Sequence, residues 1–191
     1  MQNKLEFVTG VSKTYHLGGN DWYAVEQDDD KVMLVDIDCR IGDEMLRTPW
    51  SDGDWKSEEG ENGQAILDYV NKLADTYFDD IKYAIIPRTV EAGTGKLENA
   101  FMWSMSYEEF DNNKTIGSKI GCNANCSVWT RTFSGVINNY RFAWRVADID
   151  GDLGDGSNVG NTLCVAPAFY LKKSAIDHIT DDNEIIFVQN K

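Results

Sequence analysis

The residues of this chain that could do chemistry are mostly carboxylates. Asp148, Asp150 and Asp152 stand at alternate positions in A-D-I-D-G-D-L-G-D-G-S-N, the opening spacing of a calcium loop. An EF-hand also requires Gly at its sixth position and a bidentate Glu at its twelfth. Leu153 and Val159 stand there, so that reading fails. A looser calcium site from Asp150, Asp152, Asp155 and backbone carbonyls is the one cofactor the pattern offers. It competes with a solvated turn at Asp150-Gly151, which is favoured because Asp-Gly is a hairpin signal.

Other chemistries lack parts. The two histidines, His16 and His178, are in no metal-ligand spacing, and Cys122-x-x-x-Cys126 with a distant His is a poor zinc signature. Ser134-Gly135 is not a nucleophile elbow. Gly93-Thr94-Gly95-Lys96-Leu97 has neither the spacing nor the hydroxyl of a phosphate loop and reads as a turn. Thirty-two acidic residues can be paired on paper for glycoside hydrolysis, but no pair stands out. The expectation is therefore a protein that is not an enzyme. Arg131, inside V-W-T-R-T-F, must find a partner if buried, by an ion pair or by stacking on Trp129 or Trp144. Trp50 and Trp55 lie in a polar loop, where pinning to the core is favoured over binding. Asp28-Asp29-Asp30 reads as a solvated turn rather than a cation site.

Composition narrows the partners. A net charge of −14 repels phosphates and anionic membranes, so neither nucleic acid nor membrane insertion is expected. There is no run of 18 apolar residues and no signal-peptide core at Met1-Gln2-Asn3-Lys4-Leu5, so no location is assigned. With 191 residues, 42% hydrophobic, the chain suits one folded domain with a substantial core. Four cysteines are few for a disulfide scaffold. They are expected to be reduced and partly buried, with Cys122 and Cys126 the pair nearest in sequence should oxidation occur.

The elements that must position these residues follow from periodicity. Trp22, Ala24, Val32 and Leu34 alternate about the Asp28–Asp30 tip, as in an antiparallel hairpin. Ile66, Tyr69, Val70, Leu73 and Tyr77 share one helical face, predicting a helix over residues 63–80. Residues 81–87 read as a short apolar strand ending at Pro87, and Phe101–Trp103 as a buried strand. Ser106-x-x-Glu109 has the form of a capping box, placing a short helix from Tyr107. A loop is expected from there to Asn125. It is followed by the strand at Val128, a turn at Asn138-Asn139, a strand R-F-A-W-R-V-A, and one final strand through N-T-L-C-V-A-P-A-F-Y-L-K. The tail I-I-F-V is expected to add an edge strand or to mediate association. The fold class is α+β, a single domain over residues 1–191 with its core in residues 5–172.

The ordered set Trp22-Tyr23-Ala24-Val25, Trp55-Lys56-Ser57, Val70-Asn71, Phe101-Met102-Trp103-Ser104 with Glu108-Glu109, Trp129-Thr130-Arg131-Thr132 and Val165-Ala166-Pro167-Ala168 resembles a domain family of gut-type bacteria and their phages. The likeness spans most of residues 15–172. Phe133 replaces that family's proline, and Ala166 the arginine of its V-R-P-A phrase.

That family is similar in layout to C-type-lectin-like domains, including phage receptor-binding tips and the variable proteins of diversity-generating retroelements. The resemblance implies a twisted antiparallel sheet with one or two packed helices, and a non-enzymatic recognition module displaying loops to a protein or glycan on another surface. The implied ligand-binding positions are Asn123, Asn125, Asn138, Asn139, Tyr140, Asp155, Asn158 and Asn161, residue types suited to adaptable polar contacts. The same residues are also ordinary loop formers. A structural or assembly subunit of a virion, forming homo-oligomers, is the alternative. An enzyme related to the formylglycine-generating group has no catalytic cysteine spacing to support it.

Overall fold

The computed structural model describes residues 5–146 and 153–188. Within them the chain is an α+β domain built on two main sheets. The first orders the strands Thr14–Leu17, Asn20–Gln27, Lys31–Asp36, Pro167–Lys172 and Trp103–Ser104, with Ile85–Ile86 also pairing to Pro167–Lys172. The second orders Leu153–Asn158, Tyr140–Val146, Val128–Ile137, Thr162–Cys164 and Arg47–Pro49. Pairing in both sheets is antiparallel except where Val128 meets Cys164 in parallel.

The first hairpin is more buried than a one-sided pattern requires. Trp22 to Val25 and Val32 to Ile37 are all buried, so both faces of these strands are covered. Trp22 packs on Phe78 and Phe169, with ring centroids 5.6 and 5.0 Å away. The Asp28–Asp30 tip is a solvated turn whose Asp28 Oδ1 accepts from the amides of Asp30 and Lys31 at 2.9 Å. Helix α1 (Gln64–Tyr77) buries Ile66, Val70 and Leu73 as predicted, with Leu67 and Ala74 added, while Tyr69 and Tyr77 are only partly buried at the edge of that face. Residues 79–84 form a 3-10 helix, so the strand expected over 81–87 shrinks to Ile85–Ile86.

Helix α2 (Tyr107–Asp111) starts at the expected capping box. Ser106 Oγ accepts from Glu109 N at 3.1 Å, and Glu109 Oε2 accepts from Ser106 N at 2.7 Å. The loop expected up to Asn125 is instead helix α3 (Lys114–Ala124). Its two glycines and uncapped start disfavour a helix locally. Ile116, Ile120 and Ala124 nevertheless bury one face at i, i+4 and i+8, and Gly117 lets Phe110 approach closely.

The long final strand is two strands in different sheets. Thr162–Cys164 joins the second, and Pro167, which has no amide hydrogen for a ladder, opens the next strand in the first. The I-I-F-V tail is spent within the chain: Ile185–Phe187 pairs with Ile176–Ile179. The expectation of reduced thiols is corrected too. Cys126 and Cys164 form a disulfide, because parallel pairing of Val128 with Cys164 draws the end of α3 alongside, with Cα atoms 6.5 Å apart. Cys126 therefore does not pair with Cys122. Cys39 is a buried free thiol.

Side chains reaching main-chain carbonyls brace the second sheet through Trp50 and Trp129 and join it to the first through Ser104. Trp50 Nε1 donates to Thr130 O at 3.0 Å, Trp129 Nε1 to Thr48 O at 3.1 Å, and Ser104 Oγ to Trp129 O at 2.8 Å. Trp50 thus pins its loop to the core, as expected. No helix of the described residues is long and apolar enough to cross a membrane.

Candidate recognition surface

The Val128–Ile137 and Tyr140–Val146 strands meet at a two-residue turn. Asn138 and Asn139 both have positive φ, 51° and 68°, the left-handed pair such a turn demands and that Asn tolerates. At the foot of this tip Tyr140 stacks on Trp55, with centroids 4.7 Å apart and planes 15° from parallel. Trp55 is half-buried and Tyr140 is 38% exposed, so unlike Trp50 this tryptophan stays at the surface. Lys56 Nζ sits 4.6 Å from the Trp55 ring centroid. Val136 and Ile137, exposed at 47% and 60%, extend the apolar area along the hairpin.

Arg141 fixes the three segments that make this corner. Its Nη1 donates to Lys56 O at 2.9 Å and to Asn139 O at 3.3 Å, and its Nε to Glu61 Oε1 at 3.2 Å. Its amide donates to Trp55 O, and its carbonyl accepts from Val159 N. The turn after Leu153–Asn158 lies against the same corner, with Gly160 set against the Trp55 ring. The geometry suits stacking and apolar contact on a pre-ordered base, at about 0.5–1.5 kcal/mol per aromatic pair beyond area burial.

The expected binding positions are divided by the structure. Asn138, Asn139, Tyr140, Asn158 and Asn161 belong to the corner. Several have structural work there: Asn158 Oδ1 accepts from Gly160 N at 3.0 Å, and Asn161 Nδ2 donates to Ser157 Oγ at 2.9 Å. Asn125 is the left-handed C-cap of α3. Asn123 instead hydrogen-bonds Asp38, which places it beside a different feature. Of the expected calcium ligands, Asp150 and Asp152 lie outside the described residues. Asp155 has its backbone in the Leu153–Asn158 strand and its side chain outside the described set. Among the described residues no group of three or more His, Cys, Asp or Glu is placed to hold a metal ion.

That other feature is a cleft of about 170 Å³ lined by Asn20, Asp21, Asp36, Asp38 and Arg40. Asp36 is buried, and its Oδ1 accepts from Asp38 N at 3.1 Å. Burial, helped by the neighbouring Asp38 charge, pushes its pKa up to about 7 against the pull of backbone N–H donors. Burial likewise raises the Cys39 thiol, with Asp36 and Asp38 adding to it, so it stays protonated and unreactive.

Sequence reasoning singled out Trp55 but favoured pinning it to the core, and it missed both its stacking on Tyr140 and the Arg141 brace. Trp55 and Arg141 are far apart in the chain, and only the fold sets them together. No family model, curated protein or solved structure matches this chain.

Proposed function

We propose that the chain is a non-enzymatic recognition module that grips a protein or glycan on another surface through the Trp55–Tyr140 corner. The observation that carries this reading is the exposed stacked pair on a base that Arg141 holds rigid. An aromatic face with flanking amides suits the apolar face and hydroxyls of a sugar, or an apolar anchor of a protein. A layout like that of C-type-lectin-like domains, on a phage or bacterial surface particle, accords with display from a hairpin tip over a rigid sheet. The alternative of a virion assembly subunit has less support, because the tail strand that would dock a second copy is paired internally.

The test is binding to glycan arrays and to bacterial cells, followed by Tyr140→Ala and Trp55→Ala. Losing a central aromatic anchor should weaken binding about thirtyfold, or about 2 kcal/mol. Full binding by both folded variants would overturn the assignment of the corner.

A further inference from the structure

A second cluster lies away from the corner, where α2 meets the second sheet and the Arg88–Ala92 strand. Glu109 Oε1 accepts from Arg131 Nη2 at 2.9 Å and from Arg88 Nη1 at 3.2 Å, while Oε2 is committed to the Ser106 amide at 2.7 Å. One carboxylate, with both oxygens occupied, therefore faces two guanidiniums. Each guanidinium carries five N–H donors. Arg131 Nε and Trp103 Nε1 are buried with no hydrogen-bond partner among the described residues. The Arg88 guanidinium carbon is 5.0 Å from the Trp103 ring centroid and 5.8 Å from that of Tyr170.

On the neighbouring strands the lysines have acceptors within the fold: Lys31 Nζ lies 4.0 Å from Asp28 Oδ2, Lys172 Nζ donates to Tyr83 O at 2.8 Å, and Tyr170 Oη donates to Glu26 Oε1. Lys31 Nζ lies 4.3 Å from the Tyr170 ring centroid, and Lys31 is directly opposite Lys172 in the strand register. Like charges directly opposite cost stability, as does burying guanidinium donors without acceptors. In a chain of net charge −14, neither arrangement follows from an excess of cations. An acceptor supplied from outside would satisfy the buried Arg131 Nε and Trp103 Nε1 donors. Arg88, about one-third exposed, is the solvent end of the cluster, and Arg131, 12% exposed, is the buried end.

We propose that Arg88, Arg131 and Trp103 form a subsite for an oxyanion, the carboxylate or sulfate group of a ligand. The guanidinium forks match the planar or tetrahedral oxygens of such groups, and the partly desolvated setting strengthens the contact. Burial holds the Arg131 pKa below its usual value, and a bound anion would offset that cost. The subsite does not depend on the corner reading, since it shares no residue with it.

The experiment is a titration of the full ¹⁵N-labelled chain with sodium acetate and, separately, sodium sulfate, at ionic strength held constant with chloride. Arg Nε–H and Trp indole signals are read, and Trp103→Phe identifies the Trp103 signal. The expected result is a saturating shift of the Trp103 and Arg131 signals, weakened about tenfold or more by Arg88→Gln, the loss of one charge-assisted contact. Stronger saturation by acetate assigns a carboxylate ligand, and the reverse assigns a sulfate. Signals unmoved by either salt to roughly 50 mM, where even a millimolar site is filled, would overturn the proposal and leave water as the acceptor. An undiminished titration of Arg88→Gln would overturn it as well. Should Arg88→Gln not fold, the titration of the unmodified chain decides alone.

Discussion

Asp36 stands at the end of an apolar strand, and its carboxylate is wrapped by the backbone amides of Asp38, Cys39 and Arg40. Its folded pKa of about 7 lies above the ordinary carboxylate value of 3.8 because burial disfavours the charge. The folded state thus binds this proton more tightly than the unfolded state. That contribution to stability is fully present below about pH 4 and is lost as pH rises through about 7. Ionised, the group costs the fold up to about 4 kcal/mol. Asp36→Asn keeps an oxygen for the Asp38 amide and removes the charge. Urea unfolding at pH 5 and pH 8 should show the wild type losing stability across this interval and the variant much less. The variant should be more stable than wild type at pH 8. A wild-type stability that is flat or rising with pH, relative to the variant, would show Asp36 to be an ordinary carboxylate. Nothing in K-V-M-L-V-D-I-D announces this, since an Asp closing an apolar run is usually a solvated strand end. The Ser106–Glu109 box and the need of Arg131 for a partner were legible, because both are local or obligatory demands.

At the scale of elements, the contrast between α1 and α3 shows what periodicity can carry. Five apolar residues on one face of α1 declare the helix alone. The helix at Lys114–Ala124 shows only Ile116, Ile120 and Ala124 among Gly, Asn, Ser and Lys, and gets its stability from burial that the fold supplies. The disulfide was equally hidden, because its partners are 38 residues apart and meet only once the Val128 strand lies beside Cys164. Cross-linking a loop of that length restricts the unfolded chain by about 4 kcal/mol in the chain-entropy account. Reduction with dithiothreitol, or Cys126→Ser with Cys164→Ser, should lower the urea midpoint accordingly. Equal midpoints for the oxidised and reduced chains would mean that the bridge contributes nothing. The corner inherits this dependence, since Thr162–Cys164 pairs with the Val128–Ile137 strand, whose hairpin partner carries Tyr140.

Across the whole molecule, α2 is a joint between separate parts of the chain. Glu109 receives Arg88 from the Arg88–Ala92 strand and Arg131 from the second sheet, and it also closes the α2 cap. Ser104 crosses the same junction, while Trp50 and Trp129 brace the second sheet beside it. Shared ties of this kind predict one cooperative unfolding transition, coincident by circular dichroism and tryptophan fluorescence. Glu109→Ala should cost about 3 kcal/mol or more, because it leaves the Arg131 guanidinium buried without its anion and removes half of the capping box. The exposed third of Arg88 softens the loss on that side. The decisive measurement is the double variant Glu109→Gln with Arg131→Met, which replaces both members of the buried pair by groups of similar size. Removing both charges together leaves no unpaired ion buried at this pair, so much of the stability lost in Glu109→Gln should return. Losses that simply add in the double variant would show Glu109 and Arg131 to be uncoupled. The joint would then rest on contacts such as Ser104 Oγ to Trp129 O.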